Sequence, residues 1–134
     1  MSYNAVVDIQ QDSSGTIWFA TADGLDRFNG TDFTIYRHRH KDRNSLQSNN
    51  VHDLFIDSKE RLWVCNSSGL SYYREEPDDF QRISIKDAVT VECVMEVADN
   101  KYLAATRHAT FLYDLNTDSS REIKLEGKSL TYYS

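Results

Sequence analysis

No stretch of this sequence reaches the roughly eighteen consecutive apolar residues that a membrane-crossing helix needs, so no part of the 134 residues is expected to span a bilayer. The first five residues lack a basic stretch leading into an apolar one, and no signal peptide is read there. Cysteine is scarce: Cys65 and Cys93 are too few for a disulfide framework. Proline occurs once, as Pro77, and the five glycines form no phosphate-cradling loop. Positive charge is in deficit, 15 Lys and Arg against 21 Asp and Glu, giving a net charge of −6. A nucleic-acid binder must concentrate basic groups against phosphates, so nucleic acid is excluded as a partner. The 40% hydrophobic and 12% aromatic content is enough for one well-packed globular core.

What the sequence does contain is a repeat. Trp18 and Trp63 stand 45 positions apart, and the same shift carries Asp8 to Asp53, Asp12 to Asp57, Ile17 to Leu62, and Gly24 and Leu25 to Gly69 and Leu70. A third, degenerate copy follows at a shift of 40, with Val91 under Val51, Val94 under Leu54, Leu103 under Trp63, Thr106 under Asn66 and Tyr113 under Tyr73. Periods of about 40 to 45 residues are the length of a β-propeller blade.

Each copy opens with a short apolar strand: Ala5 to Gln11, Val51 to Ile56 and Val91 to Ala98. A tight turn follows, led by Asp12, Asp57 or Asp99, whose carboxylate can accept from backbone amides just ahead of it. The second strand, Thr16 to Thr21, Arg61 to Asn66 and Lys101 to Thr106, is apolar on both faces. Burial on both sides places such a strand in a sheet sandwiched between other sheets. Second turns at 22–24 and 67–69 lead into a third strand ending at Phe28, Tyr73 or Tyr113, and a fourth strand covers Phe33 to Arg37, Phe80 to Ile85 and Arg121 to Leu125. The expected fold is therefore all-β: about three four-stranded antiparallel propeller blades over 5–37, 51–85 and 91–125, an incomplete propeller occupying 1–134. A polar, basic inter-blade crossing spans 38–50, and the last ten residues read as the approach to a further blade. Cys65 and Cys93 then lie on neighbouring sheets about 10 Å apart, beyond bridging distance, and are expected to be two buried thiols.

At this point the residues resemble the two-component regulator propeller repeat, whose pattern runs Asn-Ser-Leu-x-Ser-Asn-x-Val, then Asp-x-x-Gly-x-Leu-Trp-x-x-Thr, then Gly-Leu and an aromatic. The chain matches with Asn44, Ser45, Leu46, Ser48, Asn49 and Val51, and with Asp57, Leu62, Trp63, Gly69, Leu70 and Tyr73; the first copy matches through Asp12, Gly15, Trp18, Thr21, Gly24, Leu25 and Phe28. Glu60 stands where the pattern has Gly and Asn66 where it has Thr. The resemblance implies the periplasmic sensor region of a hybrid two-component histidine kinase of Bacteroidetes, with an oligosaccharide or other small-molecule ligand. The remaining blades of the parent chain would be partners, and the membrane would be reached only through the parent protein. It implies no cofactor and no catalytic residue in this stretch. Streptogramin-lyase-like propellers, in which His and Glu carry out an elimination beside Mg²⁺, have similar Asp-Gly-x-x-Trp repeats but usually lack the Asn-Ser-Leu crossing; that enzyme, or a plain interaction scaffold, is the alternative.

Strand parity locates the site. The turn between strands two and three and the crossing from strand four to the next blade must emerge on one face, carrying Asp23, Arg37, His38, Asn66, Arg107 and His108 as candidate ligand-binding residues. They offer donors, acceptors and positive charge for polyhydroxylated or anionic groups. They are also what ordinary solvated loops contain. His38 and His40 could present two metal ligands, but no spacing supplies a third, so no metal site is expected. Trp18 and Trp63 read as core, Asp12 and Asp57 as turn formers, while Asp8 and Asp53 recur without an evident role. Three blades cannot close a ring, so exposed blade edges are expected to favour a homo-oligomer.

Overall fold

The computed structural model describes residues 5–85, 90–126 and 129–132, which form three antiparallel sheets stacked face to face. The first contains β1 (Val6–Gln11), β2 (Ile17–Thr21), β3 (Gly24–Phe28) and β4 (Phe33–Tyr36), paired in chain order. The second contains β5 (Val51–Ile56), β6 (Leu62–Asn66), β7 (Gly69–Arg74) and β8 (Asp79–Ile83) in the same order. The third contains β9 (Val91–Ala98), β10 (Lys101–Thr106), β11 (Thr110–Asp114), β12 (Ser119–Glu126) and β13 (Ser129–Tyr132). Of the last ten residues, Ser129–Tyr132 pairs antiparallel with β12, and 127, 128, 133 and 134 lie outside the described residues.

The turns show why a worn repeat still folds alike. Asp12 accepts from the amides of Ser14 and Thr16, and Asp57 accepts from those of Lys59 and Arg61. Gly15 has φ +91°, and the two residues that replace it, Glu60 at +64° and Asn100 at +57°, adopt the same left-handed backbone. The carboxylate scaffold holds Glu60 in a conformation that is uncommon for a residue with a side chain.

The core lies between the sheets. Trp18 enters the first interface with Leu54, Leu62 and Val64, and Trp63 enters the second with Val94, Tyr102 and Ala104. All five residues of β6 are buried, because the middle sheet is covered on both sides. Its neighbours each have one open face. Cys93 belongs to such a face and is exposed, whereas Cys65 in the middle sheet is buried; the expectation of two buried thiols therefore fails for the end sheet, and both thiols are free. Burial, with smaller contributions from nearby Asp53 and Cys93, pushes the Cys65 thiol far above its ordinary range, which keeps it protonated and unreactive.

Polar groups tie the sheets at two levels. Near the outer turns, the amide of Ser13 donates to Glu60 at 2.9 Å and that of Ser58 to Glu96 at 2.8 Å, one repeat further on. Along the first strands, the amide of Leu54 donates to Asp8 at 2.9 Å, and the backbone amide of Val94 serves Asp53 in the same way. The recurring pair Asp8 and Asp53 thereby acquires a role: each carboxylate reaches across to the first strand of the next sheet.

Candidate functional site

The loop face is built by the crossing 37–50 as it passes over the turns of the first two sheets. Asn49 carbonyl accepts from the Gly24 amide at 2.6 Å, and Asn50 carbonyl accepts from the Ser67 amide at 3.1 Å. The crossing and both turns therefore share one face. The Asn-Ser-Leu segment anchors it: Leu46 is buried in the first interface, Asn44 carbonyl accepts from Phe80 amide, and Arg82 donates to the carbonyls of Asp42, Ser45 and Leu46. Gln47 bridges the second sheet, donating to Leu70 carbonyl at 2.7 Å and accepting from Asn66 at 3.0 Å. Gly24 is needed beneath it, since a Cβ there would lie 2.7 Å from Tyr36 carbonyl oxygen and its φ is +124°.

On this base the structure brings together Asp23, Arg37 and His38. Arg37 donates through Nε to Asp23 carbonyl and through Nη2 to the Asp23 carboxylate, both at 3.2 Å. That grip fixes the guanidinium plane. His38 amide donates to Asn49 at 2.6 Å, and its ring Nδ1 lies 2.8 Å from Leu46 carbonyl. A carbonyl only accepts, so Nδ1 carries a proton and the ring is oriented by that bond. Beside them a cleft of about 310 Å³ is lined by Tyr36, Arg37, Arg39, Asp42, Asp78 and Phe80.

The other candidate residues sit differently. Asn66 is fully buried; its Nδ2 is held by Gln47 and its Oδ1 accepts from the Ser68 amide. It shapes the turn as Thr21 does in the first sheet, where the hydroxyl accepts from the Asp23 amide, which explains how Asn can stand at the position of Thr21. Arg107 and His108 are exposed on the turn of the third sheet, and among the described residues they make no hydrogen bond or ion pair to Asp23, Arg37 or His38. Among the described residues no group of three or more His, Cys, Asp or Glu side chains is placed to hold a metal.

Sequence reasoning missed the opposite rim. There Asp57 accepts from Trp63 Nε1 at 2.9 Å, Arg61 Nε at 2.8 Å and Tyr102 hydroxyl at 2.6 Å, besides two backbone amides. Burial works to raise this carboxyl, but the donors outweigh it and hold its pKa down to about 2. The missed signal was Tyr102, which the 40-residue shift aligns with Leu62, the position that packs with Trp18 in the first interface. On the axis side, burial pushes the Asp53 carboxyl up to about 6, helped by its hydrogen bond and charge interaction with Asp8 and opposed by the amides of Leu54 and Val94.

These three stacked antiparallel sheets, two of four strands and one of five, define an incomplete β-propeller. The sequence profile of the two-component regulator propeller repeat matches residues 1–23 and 45–68. It is 44% identical over 46 residues to "Histidine kinase P4" of Formosa agariphila, a match covering 34% of this chain and 3% of that protein. Its fold is similar to the extracellular domains of two proteins described as hybrid two component systems of B. thetaiotaomicron. One superimposes with a TM-score of 0.74 at 23% identity over 85% of this chain and 17% of the other; the second gives 0.66 at 20% over 96% and 26%. Virginiamycin B lyase from Staphylococcus aureus is also similar, with a TM-score of 0.68 at 14% identity over 90% of this chain and 41% of that one. At these identities the likenesses establish the fold. The chain thus spans a small part of the length of the relatives it matches.

Proposed function

We propose that this chain is part of the extracytoplasmic, periplasmic sensor region of a hybrid two-component histidine kinase, and that its loop face binds an oligosaccharide. The family repeats support the sensor assignment, together with the hybrid two component systems among the similar folds. The observation that carries the ligand reading is the Asp23, Arg37 and His38 arrangement beside the 310 Å³ cleft. Arg37, which lines the cleft, is clamped by Asp23 with Nη1 left over among the described residues, and the ring of the adjacent His38 is held by Leu46 carbonyl, so both side chains are fixed in place. Hydroxyls of a sugar ring bond to such groups, and half-buried Tyr36, which lines the cleft, supplies apolar surface for a ring face. The cleft's size is at the small end of ligand sites, about 300 to 1,000 Å³, which suits one or two sugar rings of a longer chain.

Titration of the chain with a panel of neutral and acidic oligosaccharides, followed by amide NMR shifts, tests this reading. Shifts confined to residues 22–24 and 36–50 are expected, with at least tenfold weaker binding in Arg37→Ala and His38→Ala. Binding that leaves these residues unshifted, or no binding to any member of the panel, overturns it.

A further inference from the structure

The first two sheets border a second cleft, of about 270 Å³, on the rim opposite the loop face, and all of its walls come from those two sheets and their turns. Trp18, Ile56 and Leu62 form its apolar side, and Asp12, Thr16 and Glu60 its polar side. The equivalent place between the second and third sheets is filled by the chain itself. There the Arg61 guanidinium donates through Nε to Asp57 at 2.8 Å and through Nη2 to Asn100 and to the Tyr102 hydroxyl, both at 3.0 Å. The 45- and 40-residue shifts give the residues at these positions in the first interface: Asp12 for Asp57, Thr16 for Arg61, Glu60 for Asn100 and Leu62 for Tyr102. The carboxylate is kept and a second one replaces the amide, while the guanidinium and the hydroxyl that served them are both gone.

The acceptors are correspondingly underused. Asp12 Oδ1 holds its turn by accepting from the Ser14 and Thr16 amides and the Ser14 hydroxyl, but Oδ2 meets only the Trp18 indole, at 3.4 Å against 2.9 Å for the Trp63 counterpart. Glu60 Oε1 accepts from the Ser13 amide, and among the described residues Oε2 accepts from nothing. The two arginines that also line the cleft are engaged: Arg61 with Asp57, and Arg27, 5.8 Å from the centre of the Trp18 ring, with the hydroxyls of Tyr36 and Tyr73 and with Asp78 at 3.8 Å. Glu75 adds a third carboxylate to the lining. A planar cation with donors along both edges is the group that matches two carboxylates facing one space. We propose that this cleft binds a small guanidinium compound, its head between Asp12 Oδ2 and Glu60 Oε2, in the place that the Arg61 guanidinium holds one interface further on, and its alkyl part against Ile56 and Leu62. The volume is below the roughly 300 Å³ at which drug-sized sites begin, which limits the ligand to a guanidinium with a short tail. The site is separate from the loop face and does not rest on the oligosaccharide reading.

Titration of the full chain with butylguanidinium, and with butylurea as its uncharged counterpart, followed by amide NMR, reads this directly. Saturable shifts at 12–18 and 60–62 are expected with butylguanidinium and none with butylurea, while residues 22–24 and 36–50 of the loop face stay unmoved. Glu60→Gln keeps an acceptor for the Ser13 amide but removes the charge, and should weaken binding about tenfold. Thr16→Arg copies Arg61 and should supply the guanidinium from within, so that binding is lost while Tm rises. Equal shifts from butylurea, butyrate taken up at Arg27 in preference to the cation, undiminished binding by Glu60→Gln or Thr16→Arg, or no saturable shift at all would each overturn the proposal.

Discussion

Asp57 occupies a single turn yet satisfies five donors, and the cost of altering it follows from that. Asp57→Asn keeps the size but removes the charge and turns one acceptor oxygen into a donor facing Trp63, Tyr102 and Arg61. Loss of about 2 to 4 kcal/mol is expected, measured by urea unfolding at neutral pH. The two unusual carboxyls also set the pH response. Asp57 titrates near 2 in the folded chain against an ordinary 3.8, so its contribution is complete above pH 4 and is lost as pH falls from about 4 towards 2. Asp53 runs the other way: with its folded value near 6 against 3.8, its contribution is present below pH 4 and lost as pH rises through 6. Together they place a local stability maximum near pH 4. Asp53→Asn should flatten the loss between pH 4 and 7, gaining about 1 kcal/mol at pH 7 relative to the parent, as read from unfolding midpoints across pH.

At the scale of the element, the crossing 37–50 is the piece on which the loop face depends. It has little regular structure of its own, and it is held by Leu46 below, Arg82 from the side and the two turns in front. Leu46→Ala should cost about 2 to 4 kcal/mol through the cavity it leaves, measured by denaturant unfolding. Gly24→Ala would force a Cβ against Tyr36 carbonyl in a left-handed backbone; it is expected to displace the Arg37 and Asp23 pair, visible as amide shifts across 22–24 and 37–50, as well as lower stability. Much of this element was legible in the sequence, because strand parity alone puts the crossing and the second turns on one side. What could not be read was which of its polar residues are occupied. Asn66 looks like a surface amide in sequence, and only the 19-residue contact to Gln47 makes it an interior one. Conversely, Glu60 departs from the glycine of the repeat without changing the turn, because the Asp57 carboxylate accepts from the amides of Lys59 and Arg61 and holds the positive φ between them.

For the whole molecule, the repeat period and the two apolar faces of β6 were sufficient to anticipate stacked blades, and the end sheets escaped for a matching reason. A sequence pattern reports that a face is apolar, not whether another sheet lies over it. Hence Cys93, on a strand that reads like its neighbours, is exposed, and Asp8 and Asp53 had no visible purpose because their acceptor role is completed only by the following sheet. Trp63 is the test of how far cohesion depends on these interfaces. It touches Tyr72, Tyr102 and Tyr113 and fills the centre of the second one. Trp63→Ala should cost about 3 to 5 kcal/mol and uncouple the third sheet, so that hydrogen exchange of β9 to β11 becomes faster than that of β1 to β3.

The identical construction of consecutive interfaces has an evolutionary consequence. Since the surface that follows Trp18 and the surface that follows Trp63 accept the same kind of knob, duplication or loss of one whole unit between them, crossing included, leaves every remaining junction of a type the chain already knows how to make. Unit number can drift by such events while each junction survives, and divergence like that separating the third copy from the first two is free to accumulate wherever the partner surface, and not the landmark residue, carries the fit.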